Sequence, residues 1–310
     1  MTQREETLGS GAVALPQGEP WLVRHPWLAT LFIAATASVF ALGSTVVRFA
    51  YDAGAGTLTI VMTRTTIAAA CLALLLAVLG VKLRLDRRER WAAPLIGLVM
   101  AGYSGAFYMG MEYMPVALTV LTFYTYPIFT GGFAWLTGQE RFGLAGMIAL
   151  PLAFFGLLLA LDVSGGSFSV VGAGWAILGS LGFTAVLILS AWLLPRRADT
   201  RPRTLAMLVT ASIACIVTNL ASGEIWFPQT VLGWSGLIGS ALCYAVAMTS
   251  ILFAAATLGA TRVAVVMNIE PLASIVLTYL VLGERLGPMQ LVGAALVIAA
   301  IFLFRPRRLR

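Results

Sequence analysis

The sequence predicts an all-α polytopic membrane protein with ten transmembrane helices, arranged as two inverted five-helix repeats. Three observations predict this fold class: an apolar composition, apolar runs of membrane-spanning length, and one segment that occurs twice. Of the 310 residues, 60% are hydrophobic and only 11% are charged. A soluble domain of this length cannot bury so much apolar surface, so we expect the chain to lie in a bilayer.

Ten apolar runs have about the 18 to 25 residues that a helix needs to cross a bilayer. Their apolar character is continuous, which predicts helices because the strands of a membrane barrel would alternate. A polar stretch with three glutamates precedes the first run, so the N-terminus is not expected to be a signal peptide. The predicted spans are residues 27–50, 57–81, 91–111, 115–137, 142–161, 170–194, 203–222, 231–256, 260–282 and 287–304.

One segment recurs, because residues 116–159 align without a gap on residues 260–303, at a constant offset of 144. Only 7 of the 44 aligned positions are identical, but rare helix-breaking and charged residues recur in register. These are Pro127 on Pro271 and Glu140-Arg141 on Glu284-Arg285. The predicted organisation is a cytoplasmic tail over 1–26, one five-helix repeat over 27–161, a second over 162–304, and a basic tail over 305–310.

Basic residues concentrate on one predicted side of the membrane. With the N-terminus inside, 17 of the 20 Lys and Arg residues fall in cytoplasmic segments, leaving Arg48 and Arg64 within spans and Arg285 outside. This bias predicts a multi-pass protein with both termini in the cytoplasm. The expected location is the bacterial inner membrane. Five spans per repeat is an odd number, so the second copy is inverted relative to the first.

Several ligand classes are not expected. The net charge of +7 comes from short basic connections, which orient a membrane chain and do not form a nucleic-acid surface. The single histidine, His25, and three cysteines inside apolar runs predict neither a metal site nor a disulfide framework. The glycines in the spans form no phosphate-binding loop, so neither ATP nor another cofactor is expected. The expected partners are the bilayer and a small-molecule substrate, for which a monomer of two halves suffices.

Short motifs in three spans resemble those of a known family. They are Gly43-Ser44-Thr45-Val46-Val47-Arg48 in the first span, Arg64 in the second, and Gly283-Glu284-Arg285-Leu286 at the end of the ninth. Together with the topology, they make the chain resemble the EamA-type members of the drug/metabolite transporter superfamily over nearly all of residues 27–305. Gln139 and Phe142 depart from the family pattern beside Glu140-Arg141, at positions that look like helix-end packing.

Within that family, the chain resembles the YddG-type exporters of aromatic and other neutral amino acids. The resemblance implies secondary transport of small metabolites, by alternating access through a central cavity, with export as the direction. Proton exchange and facilitated diffusion both remain open as the driving process.

Glu270 is the one carboxylate that cannot be drawn out to a loop. It lies about nine residues into the ninth span, roughly 14 Å from the boundary and near the middle of the bilayer. A buried carboxylate is costly, so it either binds a substrate amine or a proton, or satisfies backbone donors at a bend. The adjoining Pro271 and its counterpart Pro127 each remove a backbone donor, and are predicted hinges that bracket the cavity.

Arg64 lies about 10 Å below the outer end of its span, an axial separation of roughly 8 Å from Glu270. That separation suits a small zwitterion, with Arg64 on a carboxylate and Glu270 on an ammonium group. The alternative is that Arg64 binds helix-end carbonyls or extends towards the interface. Arg48, at the end of its span, is interpreted as an interface anchor.

Aromatic residues gather in the third and fourth spans and predict an apolar cavity for an uncharged side chain. Packing against lipid or neighbouring helices is the alternative for each of them. The predicted lining residues are Tyr103, Phe107, Tyr124, Tyr126, Trp175, Tyr244 and Asn268, together with Arg64 and Glu270.

Three classes of function fit a polytopic membrane protein: a transporter, an enzyme acting on lipid-like substrates, and a passive channel. Membrane enzymes need clusters of Asp, Glu or His at a membrane face, whereas this sequence has scattered single carboxylates. A continuous pore needs a polar stripe along its helices, and the spans carry none. The sequence therefore predicts a transporter and not an enzyme.

Overall fold

A computed structural model describes residues 25–114, 116–137, 140–141, 144–160, 168–194, 200–223, 225–282, 287–303 and 307–308. The repeated Glu284-Arg285 pair and most of both predicted tails lie outside these residues. In the first half the helices are α1 Pro26–Val46, α2 Arg48–Asp52, α3 Thr57–Val78, α4 Glu89–Tyr113, α5 Val116–Phe123, α6 Tyr126–Leu136 and α7 Leu144–Ala160. In the second half they are α8 Val170–Trp192, α9 Arg201–Ser222, α10 Val231–Leu258, α11 Ala260–Val266, α12 Ile269–Leu282 and α13 Pro288–Leu303.

Each predicted span corresponds to one helix or to two consecutive ones, which confirms the all-helical membrane class. Six runs are long and apolar enough to cross a membrane by length and composition: residues 26–52, 57–78, 89–113, 170–192, 201–222 and 231–258. The others are shorter, because α7 and α13 have 17 and 16 residues and two predicted spans are interrupted. The count of ten crossings therefore stays a prediction.

The two predicted proline bends are helix breaks. The fourth predicted span stops after Phe123 and restarts at Tyr126, and the ninth stops after Val266 and restarts at Ile269. Because the repeat offset is 144, these breaks fall within one residue of each other in the two copies. The position of the break is therefore a shared property of the halves.

Contacts between distant connections define the two ends of the bundle. We name the end that holds His25 the inner end and the opposite one the outer end, after the predicted orientation. At the inner end the Arg262 guanidinium donates to the Pro26 carbonyl, and Arg203 forms an ion pair with Glu89 at 3.6 Å. At the outer end, the connection between α2 and α3 is hydrogen-bonded to the one between α9 and α10, since the Gly56 amide donates to the Trp226 carbonyl at 2.9 Å. The predicted cytoplasmic and external connections therefore gather at opposite ends.

A pair of two-residue strands joins the two halves at one end of the bundle. Residues Glu140–Arg141 (β1) pair antiparallel with Arg307–Arg308 (β2). Both segments belong to predicted cytoplasmic connections. The pairing therefore agrees with the predicted orientation of the fourth and tenth spans.

The last helices of the two halves pack antiparallel through two glycines. A Cβ atom at Gly293 would lie 2.4 Å from the Ala160 backbone nitrogen, and one at Gly156 would lie 2.8 Å from that of Val297. Gly156 contacts Val297, whereas Ala160, further along α7, contacts Gly293, which comes earlier in α13. These two equivalent helices therefore run in opposite directions. Inverted repeats require this arrangement.

The inner half of the bundle is closed by apolar packing. Fully buried side chains near the inner ends of helices from both halves belong to one continuous core; they include Ile33, Leu76, Ile96, Leu187, Leu208 and Val263. Small residues such as Ala29 and Ala92 allow the helices to approach closely there. The outer half encloses the cavity described below.

The glycine contact between α7 and α13 predicts a sharp stability difference. Gly293→Ala should destabilise the protein by about 1–3 kcal/mol, because the added methyl group meets backbone atoms that cannot move aside. Gly102→Ala is the matched control, because a Cβ atom placed there would have no neighbouring atom within 4 Å. We expect a lower midpoint of thermal unfolding in detergent for the first variant only. Equal midpoints for the two variants would show that this contact is not tight.

Candidate functional site

A cavity of about 850 Å³ lies between the two halves in the outer part of the bundle. Its walls come from helices α1 to α7 of the first half and from α8, α10, α12 and α13 of the second. Arg48 and Tyr51 line its mouth and are exposed at the surface. Tyr126, Ile251 and Met267 form its floor and are also members of the inner apolar core. The cavity is therefore open towards the outer end and closed towards the inner end.

Arg64 occupies one wall and is held by aromatic side chains. Its Nη1 donates to the Tyr108 hydroxyl at 3.3 Å, and its guanidinium carbon lies 4.5 Å from the centre of the Tyr244 ring and 5.7 Å from that of Phe40. These contacts supply a cation–π surface but no compensating negative charge. The guanidinium is half-buried in the cavity and keeps donors available for an anionic group.

Glu270 occupies another wall, in the first turn of α12. Its carboxyl group interacts electrostatically with the side chains of Tyr124 and Tyr126, which line the same cavity. Arg64 and Glu270 form no ion pair within 4.0 Å, although both line the same cavity. The two side chains therefore face the cavity without neutralising each other directly.

Aromatic rings line the cavity between Arg64 and Glu270. Phe123 lies at the centre, with ring centroids 4.8 Å from Phe107, 5.6 Å from Tyr126 and 5.7 Å from Phe183. Tyr103 contacts Phe183 at 5.1 Å. Such edge-to-face and tilted contacts add to the packing energy and leave ring faces for an apolar ligand group.

Hydroxyl groups fix the break between α5 and α6 to helix α8. The Tyr126 carbonyl accepts from Thr130 at 2.7 Å and from Thr184 at 3.2 Å, and Thr125 shares a hydrogen bond of 3.0 Å with Ser180. In a membrane interior polar groups need partners within the protein, and Thr184 and Ser180 of α8 provide them at the start of α6. The floor of the cavity is therefore attached to the opposite half.

Most of the predicted site residues meet in the cavity. Its lining includes Arg64, Tyr103, Phe107, Tyr124, Tyr126, Tyr244, Glu270 and Pro271. Arg48, interpreted from the sequence as an interface anchor, also lines the mouth. The charged side chains of the described lining are thus two arginines and one glutamate.

Three predicted residues lie outside the lining. Asn268 is buried and turns its amide back to the Val265 carbonyl at 3.1 Å, where it supports the break between α11 and α12. Trp175 is half-buried near the outer start of α8, about 12 Å along the helix from the lining residue Phe183. Pro127 is buried in the first turn of α6 and starts that helix behind the cavity floor.

The sequence did not single out three important lining residues: Phe183, Phe40 and Tyr51. Phe183 and Phe40 are single aromatic residues in apolar segments, and Tyr51 lies at the end of a predicted span, where an aromatic residue is common. Phe40 could have been identified from the sequence, because it lies one helical turn before Ser44 and so on the same helix face. Ser44 belongs to the motif used for the family resemblance. Helix packing alone brings Phe183 against Tyr126, at a ring distance of 4.8 Å.

Comparisons with known proteins agree with this architecture. Two parts of the chain, residues 27–161 and 170–305, each match the model of the EamA-like transporter family. The protein named "Uncharacterized transporter YcbK" of Bacillus subtilis is 22% identical over 300 residues, 93% of this chain and 96% of that protein. "Uncharacterized transporter sll1319" of Synechocystis sp. is 25% identical over 233 residues, 70% of this chain and 67% of that protein.

A solved crystal structure has the same fold. It is 18% identical, covers 89% of this chain and 97% of its own, and superposes with a TM-score of 0.74. At that identity the likeness concerns the fold alone. The two separate family matches confirm the predicted two-repeat organisation.

The one-sided cavity predicts which positions a water-soluble thiol reagent reaches. In a background with Cys71, Cys215 and Cys243 replaced by alanine, Ser104→Cys should react because Ser104 lines the cavity. Ser180→Cys should not react, because Ser180 is fully buried against Thr125. An impermeant maleimide added to intact cells should label the first variant. Labelling of Ser104→Cys only in inverted vesicles would place the opening on the cytoplasmic side.

Proposed function

The chain belongs to the EamA-like transporter family, and from that premise we propose that it exports neutral or aromatic amino acids across the bacterial inner membrane. The observation that carries the proposal is the central cavity, which has Arg64 and Glu270 on separate walls and aromatic rings between them. Two unlike charges held apart match a zwitterion, and the rings match an apolar side chain.

Arg64 recognises the substrate carboxylate in this proposal. The guanidinium is fixed by Tyr108 and by the face of Tyr244, so its planar donors are oriented before the substrate arrives. A planar fork of donors fits a carboxylate better than a flexible ammonium group does. The low polarity of the surrounding rings strengthens this attraction.

Glu270 recognises the substrate ammonium group. Its carboxyl group lies beside Tyr124 and Tyr126, whose hydroxyl groups provide a polar surface at the cavity floor. Arg48 adds a second positive charge at the mouth, so a purely cationic amine is repelled where a zwitterion is not. This charge distribution favours amino acids over simple cationic drugs.

Alternating access is the proposed mechanism. The cavity is open at the outer end, while apolar side chains from both halves close the inner end. An inverted repeat lets the two halves exchange conformations, which closes the outer end as the inner end opens. A closed inner end also argues against a continuous channel, because buried apolar side chains pack together in the described core there.

Flux measurements test the proposal directly. Proteoliposomes loaded with labelled threonine, methionine or phenylalanine should release them faster than protein-free vesicles, and comparison with and without a pH gradient separates proton exchange from facilitated diffusion. Arg64→Ala and Glu270→Gln should each reduce release strongly. The controls are Arg90→Ala and Glu112→Gln, which alter exposed charges outside the cavity. Wild-type flux in both cavity variants, or a response confined to lipids or sugars, would contradict the proposal.

Matched substrates assign each charge separately. Wild-type protein should prefer phenylalanine to phenethylamine, which lacks the carboxylate, by roughly 10- to 150-fold in transport kcat/KM, from about 1.5–3 kcal/mol for a charged hydrogen bond. Arg64→Ala should remove this preference by slowing phenylalanine alone. Glu270→Gln should instead remove the preference for phenylalanine over 3-phenylpropionate, which lacks the ammonium group. Equal slowing of all three compounds by either variant would show a structural role.

A further inference from the structure

A second cavity lies outside the central one, on the far side of helix α12. Its volume is about 650 Å³, and its walls come from α1, α12 and α13. The lining is almost entirely aliphatic and includes Val39, Leu42, Leu272, Ala273 and Ala294. We call this space the lateral crevice.

Each of the two polar side chains of the lateral crevice has a hydrogen bond to a backbone group close to it in sequence. The Ser38 hydroxyl donates to the Ala34 carbonyl at 3.0 Å. The Gln290 side-chain oxygen accepts from the Gly287 amide at 2.8 Å. The crevice therefore offers carbon atoms to a ligand, and neither water nor a lipid headgroup would find the partners it needs there.

The lateral crevice lies at the depth of the lipid chains. Ser38 is twelve residues from the inner start of α1, about 18 Å along the helix. Ile298 is ten residues from the outer start of α13, about 15 Å along that helix. In a hydrocarbon core about 30 Å thick, both positions are close to the middle of the bilayer. The crevice extends from there towards the outer end, where Leu291 is exposed.

Helix α12 is the wall between the two cavities. Glu270, Pro271 and Ser274 line the central cavity, whereas Leu272 and Ala273 line the lateral crevice. Side chains of neighbouring residues on a helix point in different directions, so α12 faces both spaces. Gln290 of α13 also borders both. Whatever fills the crevice packs directly on the back of the turn that carries Glu270.

We propose that the lateral crevice binds an acyl chain of an outer-leaflet phospholipid. An empty apolar space of this size would lose the contacts that its lining makes with any filling group, and water does not replace them. Lipid chains are the apolar groups present at this depth, and the crevice opens to them between α1 and α13. A bound chain supports α12 from behind and so holds Glu270 in place.

Photolabelling in a defined bilayer tests this site. The purified protein is reconstituted into phosphatidylethanolamine and phosphatidylglycerol, with a phosphatidylethanolamine that carries a diazirine on its acyl chain. After illumination, mass spectrometry should find adducts concentrated on residues 38–42, 269–277 and 290–298, several-fold above the lipid-exposed Val217 on α9. Adducts spread evenly over all lipid-facing helices would overturn the proposal.

Filling the lateral crevice supplies the matched variant. Ala273→Phe should reduce the adducts in these three ranges several-fold, while Ala70→Phe, on the exposed face of α3, should leave them unchanged. Ala294→Phe fills the same space from α13 if the first variant does not fold. Unchanged crevice labelling in a folded filling variant would contradict acyl-chain binding. Labelling requires no transport, so this result is independent of the proposed substrate.

Discussion

The absence of water in the bilayer core is the constraint on which the rest of the structure depends. Every backbone donor and acceptor there must be satisfied within the protein, so the chain forms helices and interrupts them only where other groups supply hydrogen bonds. At the break before Tyr126, the Thr125 hydroxyl donates to the Thr122 carbonyl, and Thr184 of α8 donates to the Tyr126 carbonyl. The break after Val266 uses Asn268, whose amide donates to the Val265 carbonyl. Both interruptions lie in the interior, where they can border a cavity.

The same constraint explains where the charges of the spans are found. Arg64 and Glu270 would each be costly against lipid, and both are oriented into the shared cavity. Their separation matters, because a direct ion pair would satisfy both and leave nothing for a ligand. Arg64 is held instead by Tyr108 and Tyr244, which orient it without neutralising it. The protein therefore keeps two unlike charges available inside an aromatic cavity.

The repeat supplies a common framework, and the two copies differ where they line the cavity. Tyr126 and Glu270 occupy equivalent positions in the two copies, beside equivalent prolines, yet one is aromatic and the other ionisable. In the folded protein both line the cavity floor, and the Tyr126 ring lies close to the Glu270 carboxyl group. Equivalent helices α7 and α13 keep the symmetric relation through Gly156 and Gly293. An asymmetric site is thus built between halves that are otherwise related by an inverted repeat.

The sequence by itself determined the helical membrane class, the two repeats and the ends of the spans to within four residues, and it predicted a site near Arg64 and Glu270. These follow from composition, span length and residues that are rare in lipid, all of which are local properties. The tertiary structure decided which aromatic residues share the cavity: it brought in Phe183 and Phe40 and left Trp175 and Asn268 outside. It also decided that the cavity is open at one end and that an apolar crevice lies behind α12. Those properties depend on which faces of distant helices meet, and an all-apolar helix carries no periodic signal that identifies its buried face.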